Sequence, residues 1–329
     1  MILKALADSG LQTTAMGLGL AALGRPGYIN LGHGADLSGG RDIESMEAQA
    51  HGALDAAWSA GIRYFDAARS YGRAEDFLGA WLHSRKPEGV TIGSKWGYTY
   101  TADWRVEAEA HEVKEHSLEV LNRQIQESRE RLGEALNLYQ IHSATLESGV
   151  LENEPVLNRL AELKAEGLRI GLSVSGPKQA DVIRKAIEMQ IAGRRLFDTV
   201  QATWNLLEQS AGPALAEAHS AGMGVIVKEG LANGRLTDRN HEPSFARKRE
   251  QLESASRALG ASVDQIALAS VLNQSWAGVV LSGAVAEEHL ISNANAVAVN
   301  LESDLAEQLT RLQENPNEYW SVRKALVWN

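Results

Sequence analysis

Short apolar runs alternate with longer amphipathic stretches along the 329-residue chain. The runs are rich in Val, Ile, Leu and aromatic residues, and most lack a polar residue at every second position. This composition is typical of strands that are buried on both faces. We expect eight strands, at residues 14–23, 62–68, 90–96, 136–142, 169–174, 199–205, 224–229 and 278–283.

The stretches between the runs have the period of a helix. Residues 153–167 carry four apolar side chains on one face, and Gly167 follows as a C-terminal stop. Residues 262–274 begin at Ser262, an expected N-cap, and Gln265 stands three residues later, as in a capping box. Further helices are expected at residues 44–61, 73–85, 113–133, 179–190, 213–222 and 287–298.

Eight strands, each followed by a helix, predict a closed parallel barrel. We expect one (β/α)8 TIM barrel domain over residues 1–329, with a doubly wound open sheet as the alternative. Two connections are unusually long, at residues 24–40 after the first strand and 236–251 after the seventh. Long connections of this kind lie on the face where barrel enzymes hold their sites.

Composition excludes several classes of function. The net charge of −10, from 32 basic and 42 acidic residues, disfavours nucleic-acid binding. The chain has no Cys, which excludes disulfides, thiolate nucleophiles and Cys-ligated metals. It also lacks paired His motifs and long apolar runs, so we expect a cytoplasmic protein without a metal ion or a membrane segment. The sequence leaves the oligomeric state open.

Titratable residues stand at the ends of three neighbouring predicted strands. Asp66, Lys95 and His142 close the second, third and fourth runs, and Tyr71 follows Asp66 closely. In a barrel these side chains would meet at one mouth. An aspartate keeps a buried lysine charged, and an ammonium beside a phenol is expected to lower the phenol pKa. With a neutral His to polarise a carbonyl, the set forms a general acid for a developing alkoxide.

Three segments around these residues carry a family resemblance. Residues 66–75 read Asp-Ala-Ala-Arg-Ser-Tyr-Gly-Arg-Ala-Glu and match the D-x-A-x-x-Y-G-x-x-E signature of the aldo-keto reductases. Residues 92–95 resemble the lysine strand of that family, and residues 138–143 resemble its histidine strand. The motifs follow in the family's order within a match from roughly residue 14 to residue 300.

The resemblance implies a barrel that binds an extended nicotinamide dinucleotide and interconverts a small carbonyl compound with its alcohol. It gives Tyr71 the role of general acid and base, with Lys95 and Asp66 tuning its pKa and His142 orienting the carbonyl. The hydride would pass directly between the cofactor and the substrate carbon.

Cofactor contacts follow the same resemblance. Val285 stands where many NADPH-using members carry Arg or Lys, so NADP(H) is favoured by the family and NAD(H) is the alternative. Lys228 stands where many members carry an aromatic residue that stacks on the nicotinamide, and it is expected either at the pyrophosphate or paired with Glu229; Val174 replaces an Asn. The expected cofactor-binding residues are Gly19, Ser173, Gln201, Lys228, Leu231, Ser282, Gly283 and Asn293.

Aromatic residues cluster in two places. Four follow or end the third strand, and more lie between residues 318 and 328. We expect them to wall a substrate pocket, because exposed aromatics in loops are costly; for Trp328 the alternative is packing of the terminal segment. The residues after the third strand are Trp96, Tyr98, Tyr100 and Trp104.

Three other functions stay open at this point. The protein could be an NAD-dependent sugar or alcohol dehydrogenase of the same fold. It could be a cofactor-sensing binding subunit with little turnover. It could also be a lyase in which Lys95 forms a Schiff base with a carbonyl substrate.

Overall fold

The computed structural model describes residues 1–37 and 39–329. The fold contains eight parallel strands: β1 (Met16–Gly19), β2 (Tyr64–Asp66), β3 (Thr91–Trp96), β4 (Leu136–Ala144), β5 (Arg169–Val174), β6 (Thr199–Thr203), β7 (Gly224–Lys228) and β8 (Val279–Ser282). They pair in chain order, and the pairing of β8 with β1 closes them into a barrel. The predicted (β/α)8 TIM barrel is confirmed, and each predicted run contains strand residues.

Helices surround the barrel and connect its strands. The helices are α1 (His33–Asp36), α2 (Ile43–Ser59), α3 (Ala74–Arg85), α4 (Leu118–Leu132), α5 (Glu154–Ala165), α6 (Gln179–Glu188), α7 (Gly212–Ser220), α8 (Ala246–Leu259), α9 (Val263–Leu272), α10 (Glu287–Asn295), α11 (Ser303–Thr310) and α12 (Pro316–Lys324). As the capping box predicts, the Ser262 amide donates to the Gln265 side chain at 3.0 Å.

The helix predicted from residue 113 begins later. Glu112–Lys114 form an antiparallel strand with Tyr98–Tyr100, so these residues make a hairpin outside the barrel. The α4 helix begins only after Ser117, whose hydroxyl accepts the Val120 amide at 3.2 Å. Four elements are helices without a prediction: the short α1 in the connection 24–40, α8, which begins inside the polar stretch 236–251, and the C-terminal α11 and α12.

The N-terminal segment closes the bottom of the barrel. Lys4–Ala5 and Gln12–Thr13 form a two-stranded hairpin, and Leu6 beside it is 1% exposed. A Cβ at Gly224 or Gly278 would lie 2.6 or 2.3 Å from the Leu6 side chain, so only glycine at these two positions leaves room for Leu6. Burying a Leu in this way contributes about 1.5–3 kcal/mol. The barrel therefore opens at its opposite end, where the strands finish.

Among the described residues, no helix is long and apolar enough to cross a membrane. Within residues 1–37 and 39–329, no group of three or more His, Asp or Glu side chains is arranged to hold a metal ion.

Candidate active site

The C-terminal ends of β2, β3 and β4 bring the predicted catalytic side chains together. Asp66 ends β2, Lys95 is the penultimate residue of β3, and His142 lies near the end of β4. These strands are neighbours in the barrel, and Tyr71 follows β2 in a turn that returns over the mouth. The sequence prediction of one cluster of four side chains therefore agrees with the geometry.

The Lys95 ammonium uses all three of its donors within the cluster. It donates to the Asp66 carboxylate, to the Ala67 carbonyl at 2.9 Å and to the Tyr71 hydroxyl at 3.4 Å. Lys95 has no exposed surface. Because the amine is enclosed and fully engaged, it cannot attack a substrate carbonyl in this conformation, which disfavours the Schiff-base alternative.

Asp66 is held by more donors than Lys95 alone. Its Oδ1 accepts the Tyr64 hydroxyl at 3.1 Å and the Gln140 amide at 3.2 Å. The Gln201 amide nitrogen, which comes from the far side of the barrel, donates to the same oxygen at 3.1 Å. These donors, together with the Lys95 ammonium, fix the orientation of the buried carboxylate.

The pKa of Tyr71 differs from the sequence expectation. We expected the Lys95 ammonium to lower it, but burial and then the Asp66 charge raise the pKa of Tyr71 well above its ordinary value. Burial is the largest cause, the Asp66 charge adds to it, and the Arg25 guanidinium lowers the pKa only in part. The phenol is therefore held in its protonated, proton-donating form.

The imidazole of His142 packs directly against the phenol. The Tyr71 and His142 ring centroids are 5.4 Å apart in an edge-to-face arrangement, and the Ser70 hydroxyl lies 3.3 Å from His142 Nδ1. Burial, followed by the charges of Lys95 and Arg25, lowers the pKa of His142 well below its ordinary value. The ring is therefore neutral near pH 7, as the sequence reasoning expected.

All eight expected cofactor residues line a single cavity of about 580 Å³, together with Asp66, Tyr71 and His142. This volume lies within the usual range of small-molecule and cofactor sites. The cofactor residues on its wall are Gly19, Ser173, Gln201, Lys228, Leu231, Ser282, Gly283 and Asn293.

The part of the cavity nearest Tyr71 fits an amide ligand. The Ser173 oxygen accepts the Ser143 amide at 2.8 Å, and the Gln201 nitrogen is engaged by Asp66. These bonds fix both side chains and leave the Ser173 hydroxyl hydrogen and the Gln201 carbonyl oxygen for a ligand. One donor beside one acceptor is the complement of a carboxamide.

Lys228 lies in a buried charge cluster at the end of β7. Its Nζ donates to Thr203 Oγ1 at 2.7 Å and lies 3.8 Å from Glu229, so the expected pairing is present. Burial lowers the pKa of Lys228 to about 8. Burial alone would raise the pKa of Glu229, but the charges of Arg323 and Lys228 lower it to about 2. Arg323 Nε lies 3.0 and 2.9 Å from the two carboxylate oxygens.

The far end of the cavity has an acidic rather than a basic character. The Asn293 amide lies 2.9 Å from the Ser282 hydroxyl, and in the orientation that satisfies both of its ends its nitrogen lies 3.0 Å from Asp264. Val285 is apolar and nearly buried. Arg239, which also lines the cavity, is held by the Asp36 carboxylate at 2.8 Å.

The aromatic prediction is only partly correct. Tyr98 and Trp328 line the cavity, and the Trp328 ring stacks on His111 with the centroids 3.8 Å apart. Trp96 is instead fully buried in the core, and Trp104 packs on Phe77 and donates to a backbone carbonyl at 2.7 Å. Ring size alone does not tell a core residue from a pocket wall.

Sequence reasoning missed Arg25. This side chain is 4% exposed, donates to the Ser70 carbonyl and to Glu112, both at 3.1 Å, and lies 5.3 Å from the Tyr71 ring centroid. Arg25 falls in the long connection 24–40, but no local pattern distinguishes it there. Glu112 lies in no predicted element, although the alternation of side-chain types in residues 98–100 and 112–114 indicates a hairpin.

Comparisons with known proteins agree with this geometry. The model of the Aldo/keto reductase family matches residues 30–314. A protein named pyridoxal 4-dehydrogenase from Microbacterium luteolum is 30% identical over 261 residues, which are 68% of this chain and 71% of the relative. A D-threo-aldose 1-dehydrogenase from a Pseudomonas species is 25% identical over 228 residues, 63% of this chain and 66% of the relative.

A solved structure gives the same fold. The holo form of an aldo-keto reductase from Bacillus halodurans superposes with a TM-score of 0.73 at 19% identity, covering 96% of this chain and 97% of that one. The fold, the order of the motifs and the family match lead to one conclusion. The chain belongs to the aldo/keto reductase family and is an oxidoreductase that acts between carbonyl compounds and alcohols.

Proposed function

We propose that the protein is a nicotinamide-dependent enzyme that interconverts aldehydes or ketones with alcohols, with Tyr71 as the general acid and base. The observation that carries this proposal is the phenol of Tyr71, bonded to Lys95 at 3.4 Å and packed on the neutral His142 ring. This group stands at one end of the cavity that the eight expected cofactor residues line. When bound, the nicotinamide supplies or accepts the hydride.

In reduction, the Tyr71 hydroxyl donates its proton to the carbonyl oxygen as that oxygen gains negative charge. The phenolate that results is stabilised by the Lys95 ammonium, whose charge Asp66 balances in the resting protein. In oxidation the same phenolate accepts the alcohol proton. General acid–base catalysis of this kind contributes about 10²–10⁴-fold to the rate.

His142 orients the carbonyl. The Ser70 hydroxyl can donate to Nδ1, which assigns the ring hydrogen to Nε2. Because the imidazole is neutral, its N–H polarises the carbonyl without competing with Tyr71 as the proton donor. We therefore expect no loss of activity from His142 titration between pH 6 and pH 8.

For the cofactor we propose NADP(H), which the family resemblance favours, with NAD(H) as the alternative. Two observations support the alternative: Val285 is apolar, and the Asp264 carboxylate lies 3.0 Å from the Asn293 amide. A 2′-phosphate at this end would find Arg239 already engaged by Asp36. A 2′-hydroxyl could instead donate to an acid, as in other dinucleotide sites.

A second candidate is physiological oxidation of a sugar or another alcohol. It is supported by two relatives that are named dehydrogenases, one of pyridoxal and one of D-threo-aldoses. The same residues serve both directions, so the direction depends on substrate supply rather than on this geometry.

The proposal is tested by steady-state turnover with NADPH, NADH and their oxidised forms, against panels of aldehydes, ketones, alcohols and aldoses. We expect turnover with at least one nucleotide. Tight nucleotide binding without turnover would instead support the cofactor-sensing subunit. Borohydride trapping of a substrate on Lys95 would support the lyase.

A further inference from the structure

The charges near the catalytic end of the cavity mostly occur in pairs. Lys95 pairs with Asp66, Arg25 with Glu112 and Arg323 with Glu229. Lys228 shares the Glu229 carboxylate. Each of these four cations therefore has an acid of the chain within 4 Å, although Arg323 and Lys228 share one carboxylate.

Lys114 is different. No carboxylate among the described residues lies within 4 Å of its ammonium, which donates to the Ser143 carbonyl at 2.7 Å and leaves two donors for another partner. Its side chain is half-buried, and burial lowers the pKa of Lys114, offset in part by the more distant Glu147. The ammonium has lost part of its hydration without gaining an acid in return.

The hairpin after β3 places this ammonium beside the catalytic ring. Lys114 pairs directly with Tyr98 in the hairpin, so their side chains share one face, and both line the cavity. The Tyr98 ring centroid lies 5.7 Å from the Lys114 ammonium and 4.9 Å from the His142 ring. Lys114 and His142 thus lie on either side of the Tyr98 ring, which suits a substrate whose carbonyl lies at His142 and whose charged group lies a few atoms away.

Barrel topology separates Lys114 from the cofactor. Lys114 follows β3 and contacts β4, whereas Lys228 and Ser282 end β7 and β8. In an eight-stranded barrel, β3 and β4 lie opposite β7 and β8. Lys114 therefore faces the substrate side of the mouth, away from the strands that carry the expected phosphate contacts.

The residue that accepts the Lys114 hydrogen bond, Ser143, has a strained backbone. Ser143 has a positive φ of 50°, which is uncommon for a residue other than Gly, at an irregularity in the pairing of β4 with β5. This conformation presents its carbonyl to Lys114, while its amide bonds Ser173 at 2.8 Å and its hydroxyl lies 3.1 Å from Ser175 Oγ. Local strain of this kind is retained at functional sites.

We propose that Lys114 binds an anionic group of the substrate, a carboxylate or a phosphate, so that the enzyme acts on carbonyl compounds or alcohols that carry such a group. The Ser143 and Ser175 hydroxyls stand beside it in the cavity; one donates to the other at 3.1 Å, and the hydroxyl hydrogen that remains can bind the same anion. This inference rests on the proposed function and narrows its substrate class.

The test compares matched neutral and anionic substrates: butanal with succinic semialdehyde for the carboxylate, and glyceraldehyde with glyceraldehyde 3-phosphate for the phosphate. In the wild-type protein we expect kcat/KM to be at least tenfold higher for the anionic member of one pair. Lys114→Met should remove this advantage through KM, and Lys114→Arg should restore much of it, as expected for a charged hydrogen bond. The control is Lys178→Met, an exposed lysine paired with Glu147 at 3.3 Å.

The outcomes separate the two proposals. Turnover without preference for either anionic member, or a preference that survives Lys114→Met, overturns this inference and leaves the proposed function intact. If no carbonyl or alcohol is turned over, the proposed function fails, and calorimetry with succinate and with inorganic phosphate, at saturating nucleotide, still tests the site. Equal binding by wild type and Lys114→Met, or no binding at all, would then overturn the anion site.

Discussion

The two sides of the barrel mouth are built differently. On the side of β2 to β4, Asp66 and Lys95 come from strand ends 29 residues apart and are almost completely buried. On the side of β7 and β8, the charges are joined over long distances, as when Arg323 of α12 reaches Glu229 from 94 residues away. The ion pair at the centre of the first side is held by neighbouring strands, whereas the ion pair of the second side is completed by the C-terminal helix.

This difference predicts different consequences of substitution. A change on the first side should remove chemistry as well as stability, because its groups are buried and surround the proton that moves. A change on the second side should act on stability and on nucleotide affinity and leave proton transfer intact, because its charges hold distant segments together.

Lys95→Met should have the largest effect on stability. It leaves the buried Asp66 carboxylate without its ion partner, which costs about 3–5 kcal/mol of the free energy of unfolding. We also expect turnover to fall by about 10²–10⁴-fold because the phenolate of Tyr71 loses its cation. Urea unfolding and steady-state kinetics measure the two effects.

The matched control is the double substitution Lys95→Met with Asp66→Asn. It removes both charges, so it should recover part of the stability without recovering turnover. A Lys95→Met protein as stable and as active as wild type would show that the first side is not organised around this pair.

Glu229→Gln should act on stability in acid. The folded pKa of Glu229 is about 2, below its ordinary value of 4.5, so its carboxylate stabilises the fold above pH 4.5, and this contribution is lost as the pH falls from 4.5 towards 2. The shift corresponds to about 3 kcal/mol at 1.36 kcal/mol per pKa unit. Between pH 6 and pH 3, urea unfolding should show about 2 kcal/mol of this loss in wild type and none of it in the variant.

The exposed Glu147, paired with Lys178, supplies the control for this experiment. Glu147→Gln should leave the pH dependence of unfolding as it is in wild type. If Glu229→Gln and wild type lose stability in parallel between pH 6 and pH 3, the charge cluster at the end of β7 does not stabilise the fold.

Val285→Arg should have the smallest effect. It supplies a cation next to Ala284, which lines the far end of the cavity together with Asp264. We expect about tenfold tighter NADPH binding and little change for NADH, since a charge-assisted hydrogen bond contributes about 1.5–3 kcal/mol. Parallel fluorescence titrations with the two nucleotides measure it, with Val285→Leu as the control; unchanged NADPH affinity would place the 2′-phosphate elsewhere.

Much of the barrel could be predicted because its strands are locally encoded. β5 has the predicted bounds of residues 169–174, since a short run buried on both faces is apolar throughout. The start of α4 could not be predicted in the same way. Residues 112–114 form a strand only because residues 98–100 lie opposite them, and pairing between segments leaves a weak local pattern.

The candidate site likewise has features that the local sequence predicts and features that depend on distant partners. Asp66, Tyr71, Lys95 and His142 could be predicted because they follow apolar runs at the spacing of a known motif. The direction of the Tyr71 pKa could not, because it depends on the sum of burial and of charges such as Asp66 and Arg25 in three dimensions. The contacts of Lys114 and Arg323 depend equally on partners far along the chain.

The most direct test of the account is Tyr71→Phe, measured by single-turnover hydride transfer and by nucleotide titration on the same preparation. The substitution removes only the hydroxyl that Lys95 contacts at 3.4 Å. We expect the rate of hydride transfer to fall by about 10²–10⁴-fold while the nucleotide Kd changes by less than about twofold. Hydride transfer at the wild-type rate would contradict the assignment of Tyr71 as the proton donor.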